Sequence, residues 1–315
     1  MTLKEKAVRH LITMDDLTSE EIMLILEDAR NFKEVLQRDI KKVPALRGKT
    51  VVLLFFEAST RTKISFELAA KRLSADVVNF STSTSSLKKS ESLKDTVRTI
   101  EAMAADIFVM RHTYPGSTAL VAKYVKGSVL NGGDGAHSHP TQALLDMYTI
   151  YEKKKRFKDL KVAIIGDIKH SRVVRSNIEG LTRMGANVII CGPATLLPRY
   201  IEQFNVGVTY NVEEAVKDAD VVMGLRIQFE RQEQGLFPSV LEYSQFFQIN
   251  RARLRKAKPD VLLMHPGPIN RGVELESELA DSVYSVIDEQ VTNGVAVRMS
   301  LLYFLAGGKD EQITD

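Results

Sequence analysis

Val51-Val52-Leu53-Leu54-Phe55-Phe56, followed by Glu57-Ala58-Ser59-Thr60-Arg61-Thr62-Lys63 and an apolar-periodic segment from Ile64 to Leu73, is the stretch on which the fold turns. Six apolar residues without alternation are the pattern of a strand covered on both faces, and the spacing after Ile64 is helical. The order is strand, turn, helix. Working outward, the same cycle recurs: strands are expected at 75–80, 106–110 and 128–130, and helices near 93–104, 118–124 and 141–151. Upstream, Thr18-Ser19-Glu20-Glu21 has the form of a capping box opening a helix, with Ile22, Ile25, Leu26, Ala29 and Leu36 on one face. A basic, turn-prone stretch from Glu152 to Asp159 separates this first series from a second. The second begins Val162-Ala163-Ile164-Ile165-Gly166-Asp167 and continues with strands at 187–191, near 206–209, at 220–225 and at 261–264. Strands alternating with helices imply parallel sheets, whose ligands lie beyond the carboxyl ends of the strands.

Composition agrees with an ordinary globular chain. At 315 residues there is room for two domains of roughly 150 residues each. Hydrophobic residues are 44% and charged ones 26%, which excludes a disordered chain or a fibre. The balance of 43 Lys+Arg against 40 Asp+Glu leaves a formal charge of +3, too weak to indicate a nucleic-acid or membrane partner, so any preference for anions must be local. Cys191 stands alone and has no intramolecular disulfide partner. No apolar run approaches the ~20 residues of a membrane span, and the first residues carry charge where a secretory signal is apolar, so a cytoplasmic location is expected.

The chemistry-bearing residues gather at the ends of the expected strands. Ser59-Thr60-Arg61-Thr62 offers hydroxyls, a guanidinium and free N–H groups at a helix start, a set suited to phosphate; an ordinary Ser/Thr cap beside a surface Arg is the alternative. Arg111-His112 follows the 106–110 strand. In Asn131-Gly132-Gly133-Asp134-Gly135-Ala136-His137-Ser138-His139-Pro140-Thr141-Gln142, glycines let the backbone approach a ligand while His139 and Gln142 flank a helix start. A neutral imidazole there is able to donate to a carbonyl oxygen. His137 and His139 lack a companion Cys or carboxylate cluster, so no metal is expected. Gly166-Asp167-Ile168-Lys169-His170-Ser171-Arg172 lacks the glycine pattern of a dinucleotide site, and Arg172 is placed to fork onto a carboxylate. Arg226 and Gln228 are two apart, on one side if the chain stays extended. In His265-Pro266-Gly267-Pro268 the prolines fix the backbone, so main-chain carbonyls are able to face a ligand amide. Ser81 to Ser92, rich in hydroxyls with Lys88 and Lys89, reads from composition alone as a surface loop. With no evident nucleophile–base pair, these ends suit a site that holds highly anionic substrates.

In order and spacing, Ser-Thr-Arg-Thr at 59–62, His-Pro-Thr-Gln at 139–142, Gly-Asp-Ile-Lys-His-Ser-Arg at 166–172, Leu-Arg-Ile-Gln at 225–228 and His-Pro-Gly-Pro at 265–268 resemble the aspartate/ornithine carbamoyltransferase family over nearly the whole chain. The resemblance implies two α/β domains, each a parallel sheet flanked by helices. Residues 1–142 would bind carbamoyl phosphate and 143–291 aspartate, with a C-terminal helix, 292–315, returning to the first domain. The ornithine branch typically carries His-Cys-Leu-Pro where this chain has His265-Pro266-Gly267-Pro268, and its amino-acid pocket must receive a cation, so the resemblance favours the aspartate branch. Lys63 stands where the family usually has Arg, and Ser90 where Gly is common.

The activity implied is transfer of the carbamoyl group from carbamoyl phosphate to L-aspartate, a transferase step early in pyrimidine biosynthesis, with no cofactor and no metal. By the resemblance, Ser59, Thr60, Arg61, Thr62 and Arg111 hold the phosphate, and Thr62, Arg111 and His139 stabilise charge on the carbonyl oxygen. Gln142 and the Pro266-Gly267-Pro268 backbone orient the amide. Arg172 takes the aspartate α-carboxylate, and Arg226, Gln228 and Lys89 the other carboxylate. Arg61, Thr62, Lys89, Arg111 and His139 are the expected catalytic set. The implied assembly is a cytoplasmic homotrimer in which Lys89, with Ser85 or Ser86, enters the neighbouring chain's site; regulatory chains or another pyrimidine enzyme are further possible partners. Carbamoyl transfer to another amino acid and a silent scaffold are the rival readings.

Overall fold

The computed structural model describes residues 10–81, 92–228 and 239–307. The chain divides into two compact units, 1–144 with 292–315, and 145–291. It leaves the first within helix α5 (Pro140–Lys154) and re-enters it within α10 (Ile287–Leu305).

In the first unit, strands β1 (His10–Leu11), β2 (Thr50–Phe55), β3 (Asp76–Ser81), β4 (Ile107–His112) and β5 (Ser128–Asp134) form one sheet in the order β1-β5-β4-β2-β3, every pair parallel. The apolar run behaves as its pattern predicts over residues 51–55, which are all buried, each large side chain contributing about 1.5–3 kcal/mol of transfer free energy, while Phe56 lies past the strand and is half-buried. Val52 and Leu54 pack with Phe108, Met110 and Val129 of the neighbouring strands and with Val97 and Val121 of helices α3 (Leu93–Ala102) and α4 (Ser117–Ala122). Helix α1 (Ser19–Gln37) opens with the expected capping box, Thr18 accepting from the Glu21 N–H at 3.2 Å and the Glu21 carboxylate accepting from the Thr18 N–H at 2.7 Å. Ile22, Ile25, Leu26 and Ala29 are buried; Val35 is buried in place of the expected Leu36, which is half-buried. The C-terminal helix belongs to this unit from Thr292. The Ser300 hydroxyl donates to the Ile25 carbonyl at 2.9 Å, and Arg298 donates to the Ser65 hydroxyl at 2.9 Å with its guanidinium 4.9 Å from the Phe66 ring centre.

In the second unit, β6 (Lys161–Ile165), β7 (Asn187–Cys191), β8 (Gly207–Thr209), β9 (Val221–Gly224) and β10 (Leu262–Met264) form a parallel sheet in the order β10-β9-β6-β7-β8. Ala163, Ile165, Val222 and Leu263 pack against Val212, Ala215 and Val216 of helix α7 (Val212–Val216).

Several boundaries differ from expectation. β4 and β5 run on through Arg111-His112 and through Asn131 to Asp134, because Asn131 and Asp134 supply internal hydrogen-bond partners for a polar strand end. Helix α5 continues to Lys154, into the stretch read as a turn. The break falls at Lys155, whose φ is +59°. The final helix starts at Ile287, before the expected residue 292.

Candidate active site

Both sheets reverse their strand order once. In the first the reversal falls between β2 and β4, and in the second between β6 and β9, the positions at which doubly wound sheets open a crevice at their carboxyl ends. The expected site residues that are described lie at or just beyond the carboxyl ends of these strands.

In the first unit, helix α2 (Thr60–Arg72) begins directly after β2. Ser59 is its N-cap residue, yet its side chain makes no capping hydrogen bond, which corrects the reading of Ser59-Thr60 as an ordinary cap. The first-turn N–H groups are thus not served by that hydroxyl. Thr62 is buried, while Thr60 and Arg61 are exposed. Arg111 stands on the adjacent strand, opposite Phe55 in register, and is held on two sides: Nη1 donates to the Gly132 carbonyl at 3.1 Å, and Nε lies 3.6 Å from the Glu57 carboxylate. Next to it, the His112 Nδ1 accepts from the Tyr114 N–H at 3.0 Å, and burial holds this imidazole below its usual pKa.

His139 is 3% exposed and its carbonyl accepts from the Gln142 and Ala143 N–H groups, which makes it the cap of α5. Its Nδ1 is 3.4 Å from the Thr141 hydroxyl. The loop before it is tied by Asp134, a fully buried carboxylate that accepts from the Asn131 amide at 2.9 Å, the Ser138 N–H at 3.1 Å and the Gly116 N–H at 2.8 Å. His137 Nδ1 also faces Asp134, at 3.0 Å, so that histidine serves the loop. Among the described residues no group of three or more His, Cys, Asp or Glu is arranged to hold a metal ion.

In the second unit, Gly166 follows β6 directly with φ +139°, and a Cβ there would stand 2.6 Å from the Leu225 carbonyl oxygen. Only glycine lets β6 and β9 run on side by side at this point. Arg172 is the first residue of helix α6 (Arg172–Arg183) and is 5% exposed; Ser171 caps that helix through the Val174 N–H at 3.4 Å. After β9, Leu225 and Ile227 are buried while Arg226 and Gln228 are half-buried, the alternation of an extended chain with both polar side chains on one side. The Gln228 amide donates to the His170 carbonyl at 3.1 Å and its N–H faces the Asp167 carboxylate at 3.4 Å. Asp167, fully buried, also holds His170 Nδ1 at 2.9 Å. This pair therefore joins the β6 and β9 ends, a role the sequence pattern did not disclose.

Past β10, the His265 N–H donates to the Gln290 side-chain oxygen at 2.9 Å and the Gly267 N–H to His265 Nδ1 at 2.8 Å. His265 Nε2 lies 3.4 Å from the buried Glu274 carboxylate. The Gly267–Pro268 bond is cis. With two N–H groups engaged and two prolines that have none, the turn has only carbonyls left to offer: it is an acceptor surface for an N–H donor. Lys89, Ser85 and Ser86 lie outside the described residues.

Residues 9–152 match the carbamoyl-P binding domain of the aspartate/ornithine carbamoyltransferases, and residues 158–305 their Asp/Orn binding domain. The chain belongs to the aspartate/ornithine carbamoyltransferase family. It is 59% identical over 300 residues to the aspartate carbamoyltransferase catalytic subunit of Moorella thermoacetica, covering 95% of this chain and 98% of that one. The corresponding subunit of Ruminiclostridium cellulolyticum is 55% identical across the full length of both. Among solved structures, aspartate transcarbamoylase from Trypanosoma cruzi with carbamoyl phosphate and aspartate superposes with a TM-score of 0.85 at 29% identity, covering 93% of this chain and 95% of that one. The ornithine carbamoyltransferase of Pyrococcus furiosus does so with 0.84 at 31%, covering 96% and 98%. Backbone similarity to these two structures therefore does not separate an aspartate from an ornithine carbamoyltransferase.

Cys191, at the end of β7, is fully buried. Burial pushes its thiol up to about 12, and the thiolate is the reactive form. At pH 8 the native enzyme is expected to react with iodoacetamide far more slowly than the urea-unfolded chain; equal rates, followed by mass spectrometry, would show the thiol to be accessible. No described helix is long and apolar enough to cross a membrane.

Proposed function

We propose that this carbamoyltransferase carries the carbamoyl group of carbamoyl phosphate to the α-amine of L-aspartate, early in pyrimidine biosynthesis, as a cytoplasmic homotrimer. The observation that carries the acceptor assignment is the pair Arg172 and Arg226, with Gln228, at the switch point of the second sheet. Two guanidiniums suit a dicarboxylate and repel the side-chain ammonium of ornithine. The relatives from Moorella thermoacetica and Ruminiclostridium cellulolyticum, both aspartate carbamoyltransferase catalytic subunits, support this choice.

In the reaction, the aspartate amine attacks the carbonyl carbon, the bond from that carbon to the phosphate oxygen breaks, and the amine's proton leaves with the phosphate. Ser59, Thr60, Arg61, Thr62 and Arg111 hold the phosphate, whose charge suits a helix start lined with hydroxyls. Thr62, Arg111 and His139 face the carbonyl oxygen as it gains charge. Glu57 and Gly132 fix the Arg111 guanidinium in advance, and the Asp134 network fixes the His139 loop, so little reorganisation accompanies the charge. Gln142 and the Pro266-Gly267-Pro268 backbone hold the amide, Arg172 holds the aspartate α-carboxylate, and Arg226, Gln228 and Lys89 hold the other. No protein nucleophile is needed, and catalysis is positioning plus electrostatics. Phosphate release from carbamoyl phosphate that depends on L-aspartate is the expected behaviour; release that is unaffected by L-aspartate would refute the reading.

The shared-site reading of Lys89 has its own test. Lys89→Ala and His139→Ala chains, each nearly inactive, are expected to regain activity when unfolded and reassembled together, since some mixed trimers then contain a site with neither lesion. Mixed trimers that form and stay as inactive as their parents would place Lys89 in its own chain's site.

A further inference from the structure

The His265-to-Pro268 turn has a support that lies outside every motif named so far. Gln290, on α10 and 3% exposed, has both ends of its carboxamide engaged: Oε1 accepts from the His265 N–H at 2.9 Å, and Nε2 donates to Asp146 Oδ1 at 2.7 Å. Asp146, on α5 and fully buried, receives at its other oxygen the Asn177 amide of α6 at 2.8 Å. A carboxylate only accepts, so it dictates which end of the Gln290 amide faces it and leaves the oxygen for the turn. Three helices thus converge on one main-chain N–H. The same turn is secured from the opposite side by His265 Nδ1 on the Gly267 N–H, and by Glu274 near His265 Nε2 and on the Asn270 N–H at 2.5 Å. So much buried polar structure behind a four-residue turn is expensive unless the turn's direction matters, because each of these groups must be desolvated.

We infer that Gln290, oriented by Asp146, is a positioning residue that aims the Pro266 and Gly267 carbonyls at the amino group of the carbamoyl donor, and so lets the enzyme distinguish a carbamoyl from an acyl phosphate. The inference rests on the reading, given above, that this turn holds the amide. Gln290 touches no substrate; it fixes the strand exit from which the carbonyls project. Its loss frees the His265 N–H and slackens the turn, leaving the phosphate-binding residues as they are.

Acetyl phosphate, in which a methyl group replaces the amino group, isolates the effect. Calorimetric titration of the full chain with carbamoyl phosphate, acetyl phosphate and inorganic phosphate is expected to show carbamoyl phosphate preferred over acetyl phosphate by about tenfold or more, the scale of one or two hydrogen bonds. In Gln290→Met that preference falls towards unity while the affinity for inorganic phosphate stays within about twofold. The double variant Gln290→Glu with Asp146→Asn rebuilds the network with its donors reversed: the new carboxylate accepts from the His265 N–H and from the new amide, whose oxygen still accepts from Asn177. It is expected to recover the preference that Gln290→Glu alone, setting two carboxylates face to face, loses. If Gln290→Met does not fold, this last pair decides. A preference unchanged in Gln290→Met or Gln290→Glu, or an equal loss of affinity for all three ligands, would overturn the role of Gln290. No preference in the unaltered enzyme would instead remove the turn from amide recognition, and the inference with it.

Discussion

Replacing His139 by alanine is expected to lower kcat about 10²–10³-fold while the fold and the affinity for carbamoyl phosphate change little. The magnitude is that of removing one preorganised donor from a developing oxyanion. The fold survives because the contribution of His139 to helix α5 is made by its carbonyl, which accepts from the Gln142 and Ala143 N–H groups and is retained in alanine. Its Nδ1 lies 3.4 Å from the Thr141 hydroxyl. Steady-state kinetics with a thermal melt distinguish the cases. A variant that turns over at the parent rate would remove His139 from the mechanism, and a folded variant that loses carbamoyl phosphate affinity in proportion to kcat would make it a binding residue.

The second large effect is expected at Arg172. Arg172→Ala should raise KM for aspartate about 10- to 100-fold, since losing a charge-assisted hydrogen bond costs about 1.5–3 kcal/mol and 1.4 kcal/mol is a factor of ten. Arg172→Lys should recover only part of this, because an ammonium does not reproduce the two-pronged guanidinium fork. Helix α6 should persist in both, as its cap is the neighbouring Ser171. The same KM in Arg172→Ala as in the parent would mean that the aspartate carboxylates are held elsewhere.

What could be read from the sequence, and what could not, follows physical lines. Val51 to Phe55 was legible as a buried strand because a sheet covered on both faces demands apolar residues at every position, and the Thr18 capping box because its partners are three residues apart. β1 was not, since His10 and Leu11 are too few to show a period and are strand only through pairing with Val129 and Leu130. The polar ends of β4 and β5 looked like loops because the bonds that let Asn131 and Asp134 lie in a sheet are invisible in one dimension. Helix α5 ran past its expected end because lysines do not stop a helix, and Lys154 there meets the Asp260 carboxylate at 2.7 Å; the left-handed backbone at Lys155 ends it.

The candidate site divides in the same way. Arg61, Arg111, His139, Arg172 and Arg226 were conspicuous because charged or ring-nitrogen side chains stand directly beyond apolar strands. Their supports were not. Glu57 meets Arg111 across two strands, and Asp146 meets Gln290 from 144 residues away. Gln290 follows Asp288 and Glu289 on a helix, so nothing in the local pattern marks it as buried.

The measurement that tests the assignment most directly is a competition between acceptors in one tube. The enzyme is given ¹³C-labelled carbamoyl phosphate with equimolar L-aspartate and L-ornithine, and the products are resolved by NMR. The account predicts N-carbamoyl-L-aspartate as essentially the whole of the labelled product, with phosphate released in equal amount. N-carbamoyl-ornithine as the main product would contradict it, and with it the roles given to Arg172 and Arg226.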